Sequence, residues 1–162
     1  MKKINIIFIF IALITVAISA CKKDPEPGGT AVQDMAGDWH VKVNEAGAYS
    51  TLYTFNTSEN TPNVMWVQAA GLKSGATVLA IKGKTGVDYP NKLFSGANIA
   101  NVSTTAGKPA SFSIANGKII PNGTKGPVSK SPTDSIYFEL NVSGTVYKVS
   151  GYHKTGFLED LP

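Results

Sequence analysis

Apolar and polar residues alternate along most of this chain, and the alternation has the period of a strand rather than a helix. Trp39, Val41 and Val43 alternate with His40, Lys42 and Asn44, the period-2 pattern of a half-buried strand. Tyr49, Thr51, Tyr53 and Phe55 share one face of the next segment. Val64 to Val67 predicts a short third strand and Thr77 to Ile81 a fourth, apolar enough to be buried on both sides. Two weak strands are expected between Lys92 and Thr105, around Leu93-Phe94 and from Ile99 to Val102. Asn116-Gly117 stands between Phe112–Ala115 and Lys118–Ile120 and predicts a two-residue hairpin turn. The proline-rich stretch from Pro121 to Pro132 reads as a loop. Ser135–Val142 and Thr145–Tyr152, joined by Ser143-Gly144, predict a second hairpin. Ile136, Phe138, Leu140 and Val142 form its dry face.

No segment carries a convincing helical period. Eight to ten short strands with regularly spaced turn signals predict an all-β protein. An antiparallel up-and-down meander of this kind removes its exposed edges by closing into a barrel.

The N-terminus follows a different rule. Lys2 and Lys3 precede an apolar run from Ile6 to Ile18, which ends in Ser19-Ala20-Cys21. A run of 13 residues makes roughly 20 Å of helix at about 1.5 Å per residue. A bilayer core is about 30 Å thick, so the run is short for a span. The order of charge, apolar run and small residues is that of a secretory signal. With Cys21 after it, the segment resembles a bacterial lipoprotein signal, which implies cleavage before Cys21 and acylation of its thiol. The expected organisation is a signal peptide over 1–20, a lipidated cysteine with a flexible tether over 21–36, and a barrel domain over 37–162.

Composition narrows the functional classes. Removing residues 1–20 takes away two lysines and lowers the formal charge from +4 to +2. The chain has no arginine and its lysines are scattered from Lys42 to Lys154, which argues against a nucleic-acid partner. Cys21 is the only cysteine, so no intrachain disulfide is available. No His-x-His, cysteine pair or aspartate-rich loop suggests a metal, and no glycine loop suggests a phosphate-bearing cofactor.

Three stretches carry a family resemblance. Gly37-Asp38-Trp39 resembles the Gly-x-Trp that opens the first strand of lipocalin-type barrels. Thr54–Ser58 with Thr61–Trp66, and Gly151–Asp160, resemble the second-to-third-strand region and the closing motif of a Bacteroidetes lipoprotein family. That family is labelled lipid-binding putative hydrolase and has a calycin-like barrel. The resemblance runs from about Gly37 to the C-terminus. It implies a lipocalin-like barrel and a small apolar or amphipathic ligand. In such barrels a last-strand arginine covers the first-strand tryptophan. Here only His153 or Lys154 could cover Trp39, by a weaker contact.

The aromatic side chains Trp39, Tyr53, Phe55, Trp66, Phe138 and Tyr152 are the candidate lining of a ligand pocket. Catalysis has weak candidates only. There is no Gly-x-Ser-x-Gly, and His40 and His153 could meet if the first and last strands pair. For both, a solvated strand histidine is the better reading. The expected protein is a lipoprotein of the cell envelope, at the outer membrane on either its periplasmic or its outer face, held by acylated Cys21 and binding a lipid-like molecule. The competing expectations are a hydrolase acting on a lipid-like or glycan substrate, and a non-catalytic accessory subunit of a surface nutrient-uptake complex. Oligomeric state is not encoded in any of these features.

Overall fold

A computed structural model describes residues 28–162. The signal segment, Cys21 and the start of the tether lie outside the described residues. Eight antiparallel strands follow one another around a closed barrel: β1 Gly37–Val43, β2 Ala46–Asn56, β3 Val64–Ser74, β4 Thr77–Asp88, β5 Leu93–Ala100, β6 Ser111–Lys125, β7 Pro132–Val142 and β8 Thr145–His153. Each strand pairs with its sequence neighbours, and β1 meets β8 from Trp39 opposite His153 to Val43 opposite Val149. The only helical turns among the described residues are 3-10 segments at Gln33–Met35 and Leu158–Asp160.

The interior is filled by side chains. Trp39, Val41 and Val43 from β1 point inward with Leu52, Met65, Val67, Ile81, Phe138, Leu140 and Val149, and none of these is more than 1% exposed. Phe94, Phe112, Ile114 and Ile119 complete the packing from β5 and β6. Small barrels of this strand number have an interior just wide enough for side chains to occupy.

The third and fourth strands are longer than expected, the fourth begins with exposed Thr77 and Val78, and four further local expectations change. First, the barrel domain begins before Gly37. Val32 and Met35 are fully buried and the Gln33–Met35 turn closes the end of the barrel where β1 starts. These two apolar residues were hidden in a polar context. Second, Asn116-Gly117 is not a hairpin. Strand β6 runs through it, and Asn116 (φ 54°) forms a bulge that shifts register against both β5 and β7. Third, Pro121–Lys125 continues β6 past a second irregularity, where the Asp134 carboxylate accepts the Asn122 N–H at 2.8 Å. The loop shrinks to 126–131. Fourth, one irregular strand replaces the two weak ones expected from Lys92 to Thr105. It stops at Asn101, whose buried amide accepts the Lys82 N–H and donates to the carbonyls of Ala80 and Pro109, each at 2.9 Å. This side chain takes the backbone's place in the ladder.

Candidate functional site

The end of the barrel closed by the 3-10 turn holds Trp39. Its indole N–H donates to the Thr54 hydroxyl at 2.8 Å, and that hydroxyl donates to the Met35 carbonyl at 2.6 Å. The His153 ring meets the indole edge-on, with centroids 5.0 Å apart and planes at 84°. Trp39 is 1% exposed. Histidine therefore occupies the covering position that the resemblance assigns to an arginine. Gly37 leaves room for it, because a Cβ there would come within 2.2 Å of His153 Nε2.

The six aromatic candidates do not share a pocket. Trp39 and Phe138 point into the filled interior. Tyr53, Phe55 and Trp66 lie on the outer face of β2 and β3. Phe55 and Trp66 stack with centroids 6.2 Å apart, and Lys82 and Lys84 reach over the Trp66 ring at 5.7 and 5.5 Å. Tyr152 faces outward from β8, and its hydroxyl donates to the Asp160 carbonyl at 2.7 Å. Tyr49 meets Tyr152 edge-on at 5.5 Å.

Nor do the two histidines meet. Trp39 pairs with His153 and His40 with Tyr152, so neighbouring residues on paired strands face opposite sides of the sheet. His153 faces in and His40 faces out. The outward phase does not make His40 a solvated residue: it is 7% exposed, beside Tyr152 at 5.3 Å between ring centroids. Among the described residues neither of its ring nitrogens has a hydrogen-bond partner. Burial, then the positive charge of Lys154, holds its pKa below the ordinary histidine value, partly offset by Asp38. Among the described residues, no hydrogen bond joins either imidazole to a serine or a carboxylate. His153 does border a polar cleft of about 470 Å³ with Asp134 and Thr155, but Asp134 is engaged with the Asn122 backbone.

A second cleft was not foreseen as a site. It holds about 840 Å³ on the outer wall across β4, β5, β6 and β7. The Asn116 bulge and the short β4–β5 ladder, only three residue pairs long, open the wall here. Bulges commonly lie beside functional sites because they redirect side chains. The backbone of Phe94 and Gly117 forms the floor. A Cβ on Gly117 would sit 2.3 Å from the Phe94 carbonyl oxygen, so no side chain fits there. Leu93, 45% exposed, and Tyr137 supply apolar walls. The rim is polar: Lys118 reaches over the Tyr137 ring at 5.5 Å, and Glu139 accepts from the Tyr137 hydroxyl at 3.1 Å and the Asn116 amide at 3.0 Å. Burial, then the bond to Glu139, raises the Tyr137 pKa above the ordinary tyrosine value. Among the described residues no cluster of three His, Cys, Asp or Glu side chains is arranged to hold a metal ion. The sequence signal for this cleft was Asn116-Gly117 itself, in a strand rather than a turn.

A closed up-and-down barrel with a filled core and a ligand-sized cleft on its wall defines the class of protein. The chain belongs to the family of lipid-binding putative hydrolases, whose profile matches residues 24–158. No curated protein matches it.

Proposed function

We propose that this protein is an extracytoplasmic lipoprotein, held at the cell envelope by acylated Cys21, whose barrel binds one small amphipathic, lipid-like molecule without turning it over. The observation that carries the reading is the cleft across β4–β7. It pairs an apolar wall of Leu93 and Tyr137 with a polar rim of Lys118, Asn116, Asp88 and Glu139. An acyl or ring system would lie against Leu93 and Tyr137, and a polar head would meet Lys118 and Asn116. The filled interior supports a ligand on the wall rather than inside the barrel. A hydrolytic reading would need a base, an orienting group and a nucleophile within reach of one another. Neither histidine has that company among the described residues.

Native mass spectrometry of the protein extracted from its own membrane tests the ligand. A co-purifying adduct is expected, and Leu93→Glu should lose it with the fold intact. An adduct retained by Leu93→Glu would remove the ligand from this cleft. Cys21→Ser should release the protein from the membrane fraction, and continued attachment would end the anchoring part of the reading.

A further inference from the structure

We propose that the barrel end bearing the 126–131 loop and the 154–161 segment seats against an anionic lipid bilayer. Four large apolar side chains are exposed on these two segments: Val128 at 59%, Phe157 at 49%, Leu158 at 83% and Leu161 at 46%. They are not loose ends. The Asp160 carboxylate accepts the backbone N–H groups of Val128 and Ser129 at 2.8 and 2.9 Å. It also accepts the hydroxyls of Ser129 and Thr155, at 2.5 and 2.7 Å. A carboxylate that is 2% exposed thus ties the loop to the C-terminal segment and fixes apolar side chains outward on both.

The charges around them suit a lipid headgroup. Lys130 and Lys154 are exposed on the same two segments, and Lys125 is exposed at the end of β6 beside them. On these two segments Glu159 is the exposed carboxylate, because Asp160 is turned inward; Asp34 and Asp38 are exposed on the neighbouring part of this end, with Asp34 bonded to Lys92 at 2.8 Å. Apolar side chains flanked by lysines partition into the interface while the ammonium groups meet anionic phosphates.

The position in the fold agrees. The 3-10 turn at Gln33–Met35 closes this same end, and the Lys154 N–H donates to the Asp38 carbonyl at 2.9 Å. The chain leading back to Cys21 leaves from here. Residues 21–27 can span at most about 25 Å at roughly 3.3–3.6 Å each. This last step rests on the anchoring reading above, whereas the patch and its charges do not.

The test uses the full chain in vesicles with brominated acyl chains. A Trp66→Phe background keeps only the buried Trp39, and a reporter is added by Leu158→Trp, or by Val146→Trp as a control on the far end of β8. The expected result is quenching and a blue shift of the reporter at position 158 in phosphatidylglycerol-containing vesicles. Both should be weaker in pure phosphatidylcholine and in high salt, with position 146 unquenched throughout. Each of Lys125→Gln, Lys130→Gln and Lys154→Gln should lower the ratio of seated to unseated protein about fivefold, the equivalent of ~1 kcal/mol per lysine. Equal quenching at 158 and 146, or quenching indifferent to anionic lipid, would overturn the proposal. So would a reporter shifted by a soluble envelope extract but not by lipid, which would make the patch a protein contact. Loss of Cys21 attachment is read separately by sedimentation with membranes, so failure of the anchor and failure of the seating are distinguishable.

Discussion

His40 shows how a single outward-facing strand residue can acquire a pH dependence. Both ring nitrogens are buried without a partner among the described residues, an arrangement that costs roughly 1–3 kcal/mol for an unsatisfied buried group. Protonation would add a charge to that environment next to Lys154, so the folded-state pKa lies below the ordinary value of 6.5. The unfolded chain therefore takes up a proton first as pH falls. The His40 contribution to stability is whole above about pH 6.5 and is lost as pH drops through and below it. Urea midpoints should accordingly fall between pH 7.5 and pH 5, values that bracket the histidine range. His40→Phe should flatten that slope and should not destabilise the protein at neutral pH. A slope unchanged by the substitution would assign it elsewhere. Asp160 titrates in a separate window. Burial alone would raise its pKa, but its bonds from Ser129, Thr155 and Val128 outweigh burial and hold it far below the ordinary carboxylate range. Its contribution is present above about pH 4 and fades below that, so Asp160→Asn should alter the acid limb and leave the His40 limb in place.

At the scale of elements, two dipeptides with similar turn chemistry took different courses. Ser143-Gly144 has positive φ at both residues, 52° and 86°, and makes the β7–β8 hairpin. In Asn116-Gly117 only Asn116 lies in the left-handed region. A type I′ turn needs both residues there, so the strand bulges and continues. What decides between the two is the partner strand. Ala115 pairs with Glu139 and Lys118 with Tyr137, so β7 is present on both sides of the bulge. That information is far away in sequence, which is why the strands around Ile136, Phe138 and Leu140 were legible from alternation and the cleft beside them was not. Val32 and Met35 were illegible for a related reason: two apolar residues in a polar stretch have no period to read. The trio Trp39, Val41 and Val43 needed only its own alternation. Gly117→Val should force its side chain into the Phe94 carbonyl and cost about 1–3 kcal/mol as overpacking, while Asn116→Gly should stay within about 0.5 kcal/mol. Chemical unfolding reads both. A tolerated Gly117→Val would show that the cleft floor is not closed by backbone contact.

The molecule as a whole closes where first and last strands meet, and that closure is organised around one buried tryptophan. The β1–β8 ladder joins the two ends of the sheet. The 3-10 turn is then tied beneath it by the relay from Trp39 through Thr54 to the Met35 carbonyl. A lock of this kind needs no guanidinium. The His153 edge fills the space over the indole, and Val32 and Met35 seal the remainder with apolar surface. The arrangement predicts that the hydroxyl of Thr54 matters more than its size suggests. Thr54→Val keeps the volume but leaves the indole N–H and the Met35 carbonyl unpaired in a dry site. The expected cost is about 1–3 kcal/mol, a sizeable part of the roughly 5–15 kcal/mol of a typical domain. Thr51→Val, on the exposed face of the same strand, should stay within about 0.5 kcal/mol. Trp39 is itself the reporter. In a Trp66→Phe background its emission should resist acrylamide in the parent and in Thr51→Val, and become quenchable in Thr54→Val as the turn at Gln33–Met35 loosens. If Thr54→Val leaves both the unfolding midpoint and the quenching unchanged, the relay does not hold the turn, and closure rests on the β1–β8 ladder and apolar packing alone.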